Sequence, residues 1–182
     1  MARGDSWKTR NRTNAFYGRP SRVIEKRELK ITPQFKAEDL YIPPFTHKKR
    51  FDEEGRWQYV PIERNESPTG LRLLDELLRY LAAGSNDVSA FAEMRGLKLN
   101  ELHTFIFILT GMRGIRFRQL YQMWLVDDLL RYTDMSPAEV AKRSGLGSPN
   151  NMYLALRREY NMSATERRFF LRKEGDLGRF KL

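Results

Sequence analysis

One pattern, repeated about fifty residues apart, limits the fold of this chain more than any other feature. The first copy reads Phe91-Ala92-Glu93-Met94-Arg95-Gly96-Leu97 and is followed by residues 100–111. The second copy reads Val140-Ala141-Lys142-Arg143-Ser144-Gly145-Leu146 and is followed by residues 148–161. In each copy a short helical pattern ends in a glycine turn before a second helical pattern begins, as in a helix-turn-helix unit. Two such units in one body suggest a protein that places two recognition helices in successive major grooves of DNA.

Helical signals in residues 71–182 predict an all-α domain of seven helices, with no strand among them. Leucines at three- and four-residue spacing predict a first helix that begins at Leu71 and ends near Ala83-Gly84. Capping signals at Ser136, Ser148 and Ser163 mark three helix starts in the second half. The predicted domain comprises a first unit over about 71–111, a linker helix over 117–132 and a second unit over about 136–173.

Residues 1–70 are predicted to form a basic, proline-interrupted, extended arm that precedes this domain. Its first 30 residues hold 9 basic and 3 acidic side chains, and Arg10 and Arg12 are candidates for contact with nucleic acid. Two interpretations fit this composition equally well. The segment is either an arm that binds phosphate or a disordered tail that aids solubility.

A small hairpin is predicted within the arm, over residues 46–60. Residues 46–51 and 56–60 flank Asp52-Glu53-Glu54-Gly55, where glycine can adopt the positive φ angle of a tight turn. An isolated two-stranded hairpin is only marginally stable, so its aromatic side chains need a surface to pack on. We expect that surface to be the helical domain, with a protein partner as the alternative for Trp57 and Tyr59.

Composition narrows the function classes. The formal net charge of +10 favours a polyanion partner, of which nucleic acid is the most common. The absence of cysteine excludes disulfides and thiolate zinc sites. His47 and His103 have no flanking metal-ligand pattern, so the sequence predicts no metal, no cofactor and no enzyme activity. Asp127 and Asp128 point about 100° apart on a helix, and we expect them to be surface charges or partners of Arg131.

The residues around the second unit carry a specific family resemblance. Residues 129–146 contain paired leucines, a threonine, an acidic capping unit, Ala141 and a glycine before a large apolar residue. Residues 157–163 contain basic, acidic and aromatic residues in that order, with Asn161 at the position where the family usually has glycine. The first unit matches the same family pattern at Phe91-Ala92, Gly96-Leu97 and residues 102–112. Residues 71–172 as a whole resemble the DNA-binding domain of the AraC/XylS family of bacterial transcription regulators. The resemblance implies two helix-turn-helix units joined by a long helix.

The chain departs from the family pattern at the positions that face DNA. The resemblance implies polar or basic side chains where this chain has Thr104, Phe107 and Ile108. It also implies a base-reading arginine at the position of Leu154. Because residues 105–109 are apolar around the whole helix, we expect the first recognition helix to be buried on more than one side.

Polar candidates for DNA contact remain on and beside the recognition helices. The resemblance places Asn150 and Asn151 in the first turn of the second helix, where family members contact bases, and asparagine can pair with adenine. The remaining candidates suit phosphate, although each also fits an ordinary solvated side chain: Lys98, His103, Lys142, Arg143, Arg157 and Arg158.

Two hypotheses for the function follow. The first is a DNA-binding protein of the AraC-like helix-turn-helix type that regulates transcription by binding double-stranded DNA. The second is an interaction protein that uses the apolar side chains of Phe107, Ile108 and Leu154 to dock onto a partner in a nucleoprotein, mobile-element or phage assembly. The 70-residue arm is too short for the family's usual effector domain. With no apolar leader or membrane span in the sequence, we expect a cytoplasmic protein, in a bacterial cell or an assembly formed there, with no membrane partner.

Overall fold

The structure consists mainly of α-helices joined by short turns. The computed structural model describes residues 31–62, 68–85 and 87–182, so the basic arm over residues 1–30, including Arg10 and Arg12, lies outside the described residues. Residues 31–182 belong to one compact unit. Within its described residues, the seven α-helices are α1 (Arg72–Ala82), α2 (Val88–Met94), α3 (Leu99–Thr110), α4 (Gly114–Tyr132), α5 (Pro137–Arg143), α6 (Pro149–Tyr160) and α7 (Ala164–Leu171).

The helix count and the capping signals confirm the sequence prediction. The hydroxyls of Ser136 and Ser163 each accept a hydrogen bond from the backbone N–H three residues later. The linker helix α4 differs from its prediction, because it begins at Gly114 rather than at residue 117. No helix in the described parts of the chain is long and apolar enough to cross a membrane.

Helix α4 is shared by two hydrophobic cores. Its first half contributes Phe117, Tyr121 and Leu125 to a core with α1, α2 and α3. Its second half contributes to a second core with α5 and α6, through Met123, Val126, Leu129 and Leu130. Buried apolar area is the main stabilising contribution in such cores, so one rigid helix ties the two helix-turn-helix units together.

Part of the predicted arm packs into the first core. A 3-10 turn over Ala37–Leu40, which the sequence analysis did not predict, buries Ala37 and Leu40. Ile42 is also buried there, and its backbone N–H donates to the Tyr121 hydroxyl at 3.1 Å. This segment therefore contributes to the stability of the helical domain.

The predicted hairpin is present, and the end of the chain adds a strand to it. Strands β1 (His47–Phe51) and β2 (Trp57–Pro61) pair antiparallel around the Asp52–Gly55 turn. A third strand, β3 (Phe180–Lys181), pairs with β1, so the prediction that residues 71–182 contain no strand is wrong. Two residues are too few to show an alternating pattern in the sequence.

The hairpin is fastened to the helical domain at its base. Phe45 is buried between Tyr132, at the end of α4, and Phe180, with ring centroids 5.6 and 5.3 Å away. Toward the turn, Phe51 and Trp57 are exposed. The expectation that the hairpin packs on the domain therefore holds at its base and fails at its tip.

Candidate nucleic-acid interface

Helices α3 and α6 occupy equivalent places in the two units. Each is twelve residues long, and each position of α6 lies fifty residues after its counterpart in α3. Both helices end on a residue in the left-handed conformation, Gly111 with φ 67° and Asn161 with φ 55°. Asparagine tolerates this conformation better than most residues, which explains how it replaces glycine there. The equivalence extends to the inner faces, which bury Leu102 and Ile106 in α3 and Met152 and Leu156 in α6.

The outward face of α3 is mostly apolar. Thr104 lies at its centre, and its hydroxyl donates to the Asn100 carbonyl oxygen at 2.8 Å within the helix. Ile108 is 54% exposed and Phe107 is half-buried. The prediction that this helix is buried on more than one side is therefore wrong. Residues 102, 106 and 109 fill the core and Phe105 packs partly against it, whereas Phe107 and Ile108 lie on the outward side.

The outward face of α6 combines one large apolar side chain with amides. Leu154, the counterpart of Thr104, is 58% exposed. Asn151 donates from Nδ2 to the Leu146 carbonyl oxygen at 3.0 Å, so one of its two amide hydrogens is already used. Asn150 is exposed, and its side chain makes no hydrogen bond to another described residue. Asn150 is therefore better placed than Asn151 to pair with a base.

The two predicted arginines of α6 are exposed and partly engaged. Arg157 donates to the Tyr153 hydroxyl at 3.3 Å and to the Asn161 carbonyl oxygen at 3.0 Å. Arg158 donates from Nε to Glu159 at 3.1 Å. These contacts leave further guanidinium N–H groups at the surface, where phosphate can be bound.

The other predicted cationic side chains are spread over the two units. Lys98 precedes α3, while Lys142 and Arg143 form the last turn of α5, and all three are exposed. His103 is half-buried and packs closely against Gly114 at the start of α4. The contact is so close that a Cβ atom added to Gly114 would lie only 2.5 Å from the ring Cδ2 of His103. His103 therefore packs against α4 more than it faces solvent.

The first turns of α4 complete the surface and were missed by the sequence analysis. A groove of about 530 Å³ between α3 and α4 is lined by Thr104, Phe107, Arg116 and Gln119, among others. A second groove of about 260 Å³ lies between α4 and α6, and Gln119 lines it together with Leu154. The available signal was three arginines at positions 113, 116 and 118, of which the predicted helix start at residue 117 left the first two in a loop.

Two contacts between α4 and the second unit hold the units together. Arg116 at the start of α4 donates to both carboxylate oxygens of Glu159 near the end of α6, at 2.6 and 2.9 Å. This hydrogen bonding holds the pKa of Glu159 below its usual range. Farther along α4, buried Gln122 donates to the Gly145 carbonyl oxygen at 3.0 Å, in the turn of the second unit. The orientation of α6 relative to α4 is thereby fixed.

Asp127 and Arg131 form separate ion pairs. Arg167 of α7 donates to both oxygens of Asp127, at 2.9 and 2.5 Å, and the Tyr160 hydroxyl donates to the same carboxylate. Arg131 pairs with Asp176 at 2.7 Å. The expectation that the aspartates of α4 are surface charges or partners of Arg131 is therefore wrong for Asp127, which anchors α7 to α4.

Asp128 faces the arm segment that packs on the first core. The Tyr41 hydroxyl donates to it at 2.7 Å. Burial raises the pKa of Asp128 to about 6, and the hydrogen bond from Tyr41 opposes part of that rise. Asp128 is therefore an internal contact as well, and it titrates close to neutral pH.

Trp57 and Tyr59 belong to the hairpin, and their observed contacts are made there. Trp57 is 55% exposed, and the Lys49 ammonium group lies over its ring, 4.4 Å from the centroid. The Tyr59 hydroxyl donates to the Gly178 carbonyl oxygen at 2.6 Å. The surface formed by α3, α4 and α6 therefore does not include these two candidates.

Comparison with known proteins relates this chain to transcriptional activators of the HTH type. No protein-family model matches the chain. In sequence it is similar to the HTH-type transcriptional activator RhaS of Enterobacter sp. (strain 638), with 30% identity over 114 residues that cover 59% of this chain and 41% of that protein. RhaS of Salmonella arizonae is 35% identical over 74 residues, which cover 41% of this chain and 27% of that protein. This chain thus spans less than half the length of these relatives.

A solved structure shares the fold. The C-terminal domain of AraT, a response regulator from Geobacillus stearothermophilus, superposes with a TM-score of 0.52 at 17% identity and covers 59% of this chain and 93% of that domain. This likeness and the fifty-residue equivalence of α3 and α6 agree on a tandem helix-turn-helix domain.

Proposed function

We propose that this chain, whose residues 71–172 form a tandem helix-turn-helix domain of the AraC/XylS type, binds double-stranded DNA through α3 and α6 and regulates transcription. The observation that carries the proposal is the equivalent placement of the two recognition helices, each with its outward face exposed. Helices presented in this way can enter two successive major grooves. The protein would act in the bacterial cytoplasm.

The distribution of polar groups supports an unequal contribution of the two units to hydrogen-bonded contact with DNA. Around α6, Asn150 has a free amide for a base edge, and Arg157 and Arg158 supply N–H groups for phosphate. On α3, the Thr104 hydroxyl is already used within the helix. We therefore assign most of the hydrogen-bonded DNA contact to the second unit.

Salt-dependent binding to DNA duplexes tests this proposal. The full chain should bind a fluorescent duplex of random sequence, with an affinity that falls as salt rises because phosphate contacts release counterions. Replacing both Arg157 and Arg158 by Ala should weaken binding to all sequences and reduce the salt slope by about one per lost phosphate contact. A variant matched in charge, with Arg72 and Arg79 of α1 replaced by Ala, should bind like the original chain.

Base reading is tested separately from phosphate contact. Asn150→Ala should change the sequences recovered from a random duplex pool while leaving binding to random sequence nearly unchanged. Asn151→Ala should also alter base preference, and it additionally removes the contact to Leu146. Undetectable binding of the original chain to random duplexes at low salt would contradict the proposal.

The exposed apolar side chains favour a second candidate function. Ile108 and Leu154 are each more than half exposed, and Phe107 lines the groove beside α4. Apolar side chains grouped at a surface are typical of sites that dock another protein. In this alternative, the domain is a component of a larger nucleoprotein, mobile-element or phage assembly. It predicts self-association in sedimentation experiments, which Leu154→Asp should abolish without changing helix content.

A further inference from the structure

The exposed apolar side chains stand at positions where a DNA-reading helix touches base edges. Leu154 lies at the centre of the outward face of α6, and Ile108 lies on the outward face of α3. Each side chain is more than half exposed although the cores beneath both helices are filled. Exposure of this kind leaves an apolar surface available for a ligand.

Resting on the proposed function, we infer that the two helices select thymine, because Leu154 and Ile108 contact the C5 methyl group of thymine in the major groove. Among the four bases, thymine is the one that presents a methyl group at that edge. The other base edges present hydrogen-bond donors and acceptors, which a leucine or isoleucine side chain would remove from water without replacing the bond. An apolar side chain therefore favours thymine and also disfavours its competitors.

Asn150, a neighbour of Leu154 on α6, also favours A·T base pairs. Asn150 lies four residues earlier, on the same outward face, with its amide unengaged. An asparagine amide can bond to adenine through N6 and N7, while a leucine at i+4 can reach the methyl group of a thymine nearby. Helix α6 is thus equipped to read adjacent A·T pairs.

Helix α3 offers mainly apolar contact beyond its first turn. The Thr104 hydroxyl donates its hydrogen to the Asn100 carbonyl oxygen, so Thr104 offers DNA its methyl group and an acceptor oxygen but no donor. Ile108 and half-buried Phe107 extend this apolar surface by one turn. We therefore expect thymine preference in the half-site of each unit, with hydrogen-bonded readout of the neighbouring base pair by Asn150 of α6.

Replacing thymine by deoxyuridine tests the inference, because deoxyuridine lacks only the methyl group. The full chain is used to select from duplexes with a random centre, and the selected sites should carry thymines in two groups about one helical turn apart. Deoxyuridine at one of these positions should weaken binding about fourfold, the value expected for one buried methyl group.

Two leucine variants show whether the effect comes from the recognition helix. Leu154→Ala should bind the thymine and deoxyuridine duplexes equally at the position that it contacts. Leu177→Ala, which truncates a leucine that is 48% exposed in the C-terminal segment, should keep the thymine preference. Both variants should retain the helix content of the original chain.

The outcomes separate this inference from the proposed function. If the chain binds thymine and deoxyuridine duplexes equally tightly, with the expected salt dependence, the thymine inference is wrong and the proposed function stands. If the selected sites are not enriched in thymine, the inference is likewise wrong. If the chain binds no duplex at low salt, both the proposed function and the inference are overturned.

Discussion

Gly84 lies where the two helix-turn-helix units touch. It follows α1 in the left-handed conformation, with φ 78°, and faces the carbonyl group of Arg143 at the end of α5. A Cβ atom built on Gly84 would overlap that carbonyl oxygen and lie 3.2 Å from its carbon. Both partners are backbone atoms, so no side chain can rotate away to make room.

We expect Gly84→Ala to destabilise the protein by about 3 kcal/mol. About 1 kcal/mol comes from placing an L-residue in the left-handed region, and about 2 kcal/mol from forcing packed backbone segments apart. Gly147→Ala is the matched control, because Gly147 has the same φ of 78° and nothing lies within 4 Å of an added Cβ atom. That variant should lose only the conformational part, about 1 kcal/mol.

Urea denaturation and DNA binding together decide this prediction. The difference in unfolding free energy between Gly84→Ala and Gly147→Ala measures the clash alone. Since the clash displaces the first unit from the second, Gly84→Ala should also weaken binding to a two-half-site duplex more than to a single half-site. Equal losses of stability in the two variants would refute the close contact between the units.

Two further predictions concern ionisable groups. A double-mutant cycle with Arg116→Ala and Glu159→Ala should give a coupling of about 0.5–1 kcal/mol that shrinks with added salt, because the Arg116 side chain is 47% exposed. A coupling unaffected by salt would count against an ion pair. The second prediction concerns Asp128, whose pKa of about 6 in the folded state lies above the unfolded value, so the folded state loses stability when this carboxyl group ionises. Asp128→Asn removes that loss. Its unfolding free energy relative to the original chain should therefore rise by on the order of 2 kcal/mol between about pH 4 and about pH 7. Urea denaturation at both pH values checks this, and parallel pH dependences of the two proteins would disprove it.

The sequence predicted the helical scaffold well because its signals are local. The caps at Ser136 and Ser163 and the glycine at Gly111 determine helix ends through bonds to nearby backbone. The seven helices and the hairpin could therefore be derived from apolar spacing together with capping and turn residues. The start of α4 was placed three residues late, since Arg113 and Gly114 carry no apolar periodicity.

The features that were missed depend on contacts between distant residues. Strand β3 exists because the chain end returns to β1, over 130 residues away in sequence. The partners of Asp127 and Asp128 come from α7 and from the arm segment, which no helical periodicity can reveal. The exposure of Ile108 could not be predicted, because residues 105–109 are all apolar and the pattern does not show which side of the helix packs against the core.

Charge in the candidate interface is smaller than the composition suggests, and this affects how the protein can hold DNA. Arg116 is paired with Glu159, and Arg157 caps the end of α6 through the Asn161 carbonyl oxygen. With fewer cations free for phosphate, the salt-dependent part of the affinity falls. Apolar contact by Ile108 adds discrimination among bases but little attraction at long range. Binding should then need both units at once, so the contacts that fix α6 against α4 matter for affinity as much as the side chains that face the bases.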